Sequence, residues 1–155
     1  MHDLIFVNLP VADLDRSRAF FTALGYTFNE EFCDGDALCL ELGPTLAAML
    51  LRHELFASFL PGRHDGHDWQ DVADGHGLSP QRGTTIAEQG TSEVLLCLSV
   101  ASREAVDELV ERAIAAGGRA GRSEDHGWMY GRSYVDLDGH VWEMLFMDEA
   151  AREEG

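Results

Sequence analysis

Ile5–Val11 (IFVNLPV) and Val94–Val100 (VLLCLSV) decide the fold, because the chain repeats the same pattern after each. Both are short apolar runs that pass without a break into an amphipathic helix stopping at Gly. Strand-like segments and tight turns then follow. Setting Val11 on Val100, 89 positions further on, also puts Leu9 on Leu98 and Ala12 on Ala101. A repeat of this length is too long for a solenoid. It describes two copies of one supersecondary unit packed as a pair, which leaves a shared concavity where function can sit.

Outward from the first run, Pro10 marks an edge strand or a strand exit. Asp13 can cap a helix whose Leu14, Ser17, Phe20, Phe21 and Leu24 share a face, and Gly25 ends it. Tyr26–Phe32 reads as a strand. The turn Asp34-Gly35-Asp36 leads to Ala37–Leu42, and Gly43-Pro44 leads to Thr45–Leu51. Outward from the second run, Ser102 is the cap. Val106, Leu109, Val110, Ala113 and Ile114 follow helical spacing, and Gly117-Gly118 is the stop. Arg119–Ser123 is a short strand, and Met129–Val135 with His140–Phe146 forms a hairpin about Asp136-Leu137-Asp138-Gly139.

These elements give one α+β domain over residues 1–155, with module one at about 4–53 and module two at about 94–148. The connection at about 54–93 starts with one or two helical turns in Glu54–Leu60. Gly62–Gly90, rich in Gly, Asp and His, then reads as a mobile segment. Its His64, His67 and His76, with Asp65 and Asp68, read as solvated loop residues rather than a metal cluster. The tail at 149–155 is acidic and solvated.

A net charge of −17 excludes nucleic acid and an anionic membrane surface as partners, because both would repel the chain. It suits a cationic small ligand or simply a well-solvated surface. No stretch has the length of a membrane span, and the N-terminus lacks a secretion-signal pattern, so a cytoplasmic protein is expected. Cys33, Cys39 and Cys97 stand singly in apolar segments and read as small hydrophobes in a reducing compartment.

The run LPVADLDRSRAFFTALGYTF, the strand VLLCLSV and above all HGWMYGRSYVDLDGHVWEMLFMD resemble the vicinal oxygen chelate superfamily, which includes glyoxalase I, bleomycin- and fosfomycin-resistance proteins and extradiol dioxygenases. The resemblance covers both units, and its strongest piece is D-x-DGH-x-WE at Asp136–Glu143. It implies paired βαβββ modules curling into a half-barrel around a cavity lined by both, often completed across a homodimer. It also implies a divalent metal held from the first and last strands of each module, by two His and two Glu in glyoxalase I. Carried onto this chain, those positions fall on Phe6, Leu95, near Met49 and on Glu143. Only Glu143 is a suitable ligand, and one carboxylate does not make a catalytic metal site. The expectation is therefore no cofactor, with Glu143 the metal residue only if an ion is bound.

Glu143 alternates with Val141 and Leu145, so the three share a strand face, which by the resemblance lines the cavity. A carboxylate among apolar neighbours has its pKa raised unless a partner is close, and can then act as a general base or grip a cation. The alternative is a structural pair with Arg132. His126 and Tyr130 join Glu143 as catalytic candidates, while Asn8, Met49 and Arg132 are the ligand-binding candidates. Trp128 and Trp142 read as packing residues. The functions implied are a glyoxalase-like lyase or related enzyme on a small organic substrate, a metal-free ligand-binding protein of the bleomycin-resistance type, or a decayed dimeric scaffold.

Overall fold

The computed structural model describes residues 2–60, 86, 88 and 94–153. The mobility expected of Gly62–Gly90 and the His64, His67 and His76 group lie outside the described residues, positions 86 and 88 apart. Module one runs β1 (Ile5–Val11), α1 (Leu14–Ala23), β2 (Thr27–Phe28), a 3-10 turn (Glu30–Phe32), β3 (Ala37–Gly43) and β4 (Leu46–Arg52). A short helix α2 (His53–Ser58) follows it. Module two runs β5 (Leu95–Ser99), α3 (Arg103–Ala115), β6 (Arg119–Asp125), β7 (Met129–Val135) and β8 (Val141–Met147), and α4 (Glu149–Glu153) follows.

The repeat in the sequence is a repeat in topology. One four-stranded sheet has the order β1-β4-β3-β2 and the other β5-β8-β7-β6. In each, the first strand lies parallel to the last, and the remaining pairings are antiparallel. The helices start where the caps were expected: Asp13 accepts from the Arg16 N–H and Ser102 from the Ala105 N–H. The strand expected over Tyr26–Phe32 is shorter. Only Thr27–Phe28 pairs with β3, because Asn29 caps a 3-10 turn through the Glu31 N–H.

Each sheet has a helix-bearing face and an outer face. Leu9, Leu38, Leu40, Ala48 and Leu50 from sheet one, with Phe20 and Phe21 of α1, join Val106, Val110 and Ala113 of α3 and Tyr134, Trp142 and Met144 of sheet two in one buried cluster. Phe21 meets Trp142 edge-on with ring centres 5.3 Å apart, and Phe20 lies 6.1 Å from Tyr134. Burial of each such large side chain stabilises the fold by about 1.5–3 kcal/mol, so the modules are held together by a shared core. The outer faces carry the opposite parity. Phe6 and Asn8 lie beside Ala47 and Met49, and Leu95 and Cys97 lie beside Val141 and Glu143. Phe6 and Leu95 are exposed on these outer faces.

The D-x-DGH-x-W motif makes the modules one body. The buried Asp136 carboxylate accepts from the Asp138 and His140 N–H groups at 3.0 and 2.9 Å and from Trp142 Nε1 at 2.9 Å. Burial pushes its pKa up, against those donors and His140. Gly139 takes φ +96° between them, a conformation open to glycine. The turn then reaches into module one. Asp138 accepts from the Ala12 N–H at 2.8 Å, and His140 Nε2 donates to the Pro10 carbonyl at 2.8 Å. These motif residues bind backbone and core, while Glu143, next after Trp142, turns the other way.

Candidate functional site

Glu143 stands on the outer face of sheet two, in a row that crosses all four strands. Cys97 of β5 is beside it, Ser133 of β7 is on its other side, and beyond Ser133 lie Gly121 and Arg122 of β6. A β-bulge produces the end of that row. Ala120 pairs with Tyr134 and Ser123 with Arg132, so both Gly121 and Arg122 oppose Ser133. The Ser133 hydroxyl fixes the bulge by accepting from the Arg122 N–H at 2.7 Å. Position 121 is glycine because a Cβ there would land on Ser133 Oγ. The bulge aims Arg122 across the row, where its guanidinium lies 2.7 Å from Glu124 and 3.5 Å from Glu143.

The row opens into a cavity of about 170 Å³ whose lining includes Cys97, Arg122, Glu124, Met129, Glu143 and Leu145. All belong to module two. The Glu143 side chain is 26% exposed, against 66% for Arg122. Cys97 is exposed on this face, and partial desolvation, then the Glu143 carboxylate, push its thiol up. His126 is half exposed and reaches the row only through Glu124, at 3.7 Å.

The Tyr130 and Arg132 side chains reach α3 on the opposite face, while Arg132 also belongs to the cavity lining. Tyr130 Oη donates to Asp107 at 2.8 Å, and Arg132 bridges Asp107 and Glu111 of α3, each at 2.8 Å. The Arg132 guanidinium and then the Tyr130 hydroxyl hold the Asp107 carboxyl below its usual range. The expected Arg132–Glu143 pair is therefore replaced by Arg122–Glu143. The cause is register. Val135 pairs with Val141, which sets Ser133 against Glu143 and Arg132 against Met144. A strand beginning at His140 would have set Arg132 against Glu143, since a one-residue slip exchanges the faces.

Asn8 and Met49, neighbours on β1 and β4, hold in module one the place that Cys97 and Glu143 hold in module two. The module-one row continues through Met49 to Cys39 of β3. The strand pairing thus assigns the first-strand positions to Asn8 and Cys97, two residues along from Phe6 and Leu95. An amide, a thioether, a thiol and a carboxylate do not fit the two-His, two-Glu donor set. Among the described residues, no group of three His, Cys, Asp or Glu is arranged to hold an ion. Arg122 and Cys97 escaped the sequence reading. The signal that could have found them is the Gly121-Arg122 pair opposite Ser133, and the β5 residue in register with Glu143.

The sequence of residues 4–43 matches the family described as bleomycin resistance protein-like N-terminal. No curated protein matches the chain. Among solved structures, a hypothetical protein of S. aureus is similar at TM-score 0.66 and 26% identity, over 94% of this chain and 95% of that one. A glyoxalase/bleomycin resistance protein/dioxygenase family enzyme from Burkholderia phytofirmans follows at 0.65 and 20%, over 94% and 99%. A genomically encoded fosfomycin resistance protein from Listeria monocytogenes matches at 0.62 and 16%, over 98% of both chains. The chain has the two-module fold of the glyoxalase/bleomycin-resistance/dioxygenase proteins, and in fold the resemblance to the vicinal oxygen chelate superfamily is borne out. Within that fold, the sequence signature of its first module is the bleomycin-resistance-like one. Among the described residues no helix is long and apolar enough to cross a membrane.

Proposed function

We propose that this protein binds a small organic molecule, without a resident metal, on the outer face of module two, in the manner of the bleomycin-resistance type. The observation that carries this reading is the Cys97–Glu143–Ser133–Arg122 row facing a cavity. The surroundings of Glu143 favour binding over turnover. Tyr130 and Arg132 are engaged by α3 on the far face, and His126 meets Glu124 rather than Glu143. Two carboxylates against one guanidinium leave the face acidic, which suits a cationic or neutral ligand. A glyoxalase-like enzyme remains the second reading, favoured by one observation. Glu143 is mostly enclosed yet only loosely paired at 3.5 Å, so it is free to take a proton from a bound substrate.

The working form is a homodimer. The Asn8–Met49 face and the Cys97–Glu143 face turn away from the shared core, so a cavity lined by both modules takes its other wall from a second copy. Phe6 and Leu95, exposed on these faces, are part of the apolar surface such a copy would cover. Light scattering on the eluting protein should give a dimer mass. A thermal-shift screen should respond to organic cations such as spermidine and methylguanidinium more than to matched anions. A monomer, or a response confined to anions, would overturn the respective half of this reading.

A further inference from the structure

We propose that Cys33 and Cys39 form an oxidisable dithiol in module one, which peroxide closes to an intramolecular disulfide. This goes beyond the ligand-binding reading and does not depend on it. Cys39 is 3% exposed in the middle of β3, whereas Cys33 follows the 3-10 turn and is half buried. The two residues are already in contact. The Cys39 N–H donates to Cys33 Sγ at 3.3 Å, and the Cys33 thiol donates to the Asn29 carbonyl at 3.2 Å. The nitrogen and the Cβ of Cys39 hang on the same Cα, so a sulfur held against that nitrogen lies close to the Cys39 side chain. The loop between them is pinned, with the Asp34 carboxylate accepting from the Asp36 and Ala37 N–H groups at 2.8 and 2.9 Å. Its ends therefore stay together without any ordering at the moment of reaction.

The surroundings divide the labour between the two thiols. Cys33 is the more accessible of the two thiols, and Arg18, gripped by Glu30 at 2.6 and 3.1 Å, lies beside it. Burial, followed by the neighbouring Cys33 and Glu41, pushes the Cys39 thiol up and keeps it protonated. Cys33 is then the residue that meets the oxidant, and Cys39 the one that resolves it. The Cys33 sulfur attacks one oxygen of hydrogen peroxide, the O–O bond breaks, and water leaves behind a sulfenic acid. The Cys39 sulfur displaces the sulfenic oxygen, the S–S bond forms, and the Cys39 proton departs with that oxygen as a second water. The two thiols are oxidised by two electrons and one peroxide is reduced. Cys39 is in register with Met49, so the disulfide would form at the end of the Asn8–Met49 row.

The test treats the whole chain with hydrogen peroxide, alkylates the remaining thiols and measures the mass without reduction. Cleavage at Asp34 and Asp36, which lie between the two cysteines, then maps the link. The expected result is loss of two hydrogens, loss of alkylation at Cys33 and Cys39, and recovery of both by dithiothreitol. Cys97→Ser should form the same link, and Cys33→Ser should not. Alkylation of Cys33 and Cys39 undiminished after peroxide, oxygen added separately to each, or a link made through Cys97 would each overturn the proposal.

Discussion

Replacing Asp136 by Ala should destabilise the protein more than any change at the candidate site, because this carboxylate holds the motif that joins the modules. Three N–H groups lose their acceptor, and one of them, Trp142 Nε1, belongs to a fully buried side chain. Hydrogen bonds to a charged group contribute about 1.5–3 kcal/mol each, so roughly 5–9 kcal/mol is the ceiling. The variant also escapes the cost of burying a carboxylate, the same cost that pushes the Asp136 pKa up. A net loss of roughly 3–5 kcal/mol remains, and at about 2–4 °C per kcal/mol the melting temperature should fall on the order of 10 °C. Urea titrations of both proteins at one fixed protein concentration measure this directly, the concentration being fixed because a dimer's midpoint depends on it. A loss below about 1 kcal/mol would mean that the three donors find other acceptors and that Asp136 does not hold the motif.

Three further outcomes follow from the same contacts. Glu143→Gln should change stability by less than about 1 kcal/mol, because its partner Arg122 is largely exposed and 3.5 Å away; a urea-measured loss of several kcal/mol would show a buried structural pair instead. Gly121→Ala should destabilise by about 1–3 kcal/mol, because the new methyl group collides with Ser133 Oγ and forces the bulge to move; an unchanged midpoint would show that the bulge is not fixed there. In acid, Asp125, held at about 2 chiefly by Arg103, contributes stability that is present above its unfolded pKa of 3.8 and lost as pH falls toward 2. Arg103→Gln should therefore flatten the fall of the urea midpoint over that window. Asp136, whose pKa is raised, acts with the opposite sign and at higher pH: its contribution is full below 3.8 and fades as pH rises above that value, so Asp136→Ala should keep the Asp125-dependent fall between 3.8 and 2.

Much of the fold was legible because local signals and global packing agree. The apolar run, the cap at Asp13 and the stop at Gly25 all name the same strand–helix unit, and Ser102 and Gly117 name its copy. The first strand came out as Ile5–Val11 and the last hairpin within a residue of its true ends. That single residue was enough to misplace the site. Starting β8 at His140 instead of Val141 exchanges the faces of Arg132 and Ser133, and no periodicity in the segment distinguishes the two registers. What sets it is the Asp136 carboxylate closing the turn onto the His140 N–H. Glu143 itself was legible from its alternation with Val141 and Leu145. Arg122 was not, since a bulge breaks the alternation that a strand reading relies on. Cys97 was overlooked because the superfamily positions, carried over by resemblance, fell two residues away from those that pair with Met49 and Glu143, and the 89-residue offset holds for both placements.

Calorimetric titration decides whether Glu143 and its row form the ligand site. The organic cation giving the largest thermal shift is titrated into the wild-type protein and into Glu143→Gln, with urea midpoints measured on both. Loss of the carboxylate should weaken binding at least about tenfold, or 1.4 kcal/mol, while the midpoints stay within about 1 kcal/mol of each other. Equal affinity in the two proteins would place the ligand elsewhere and contradict the account.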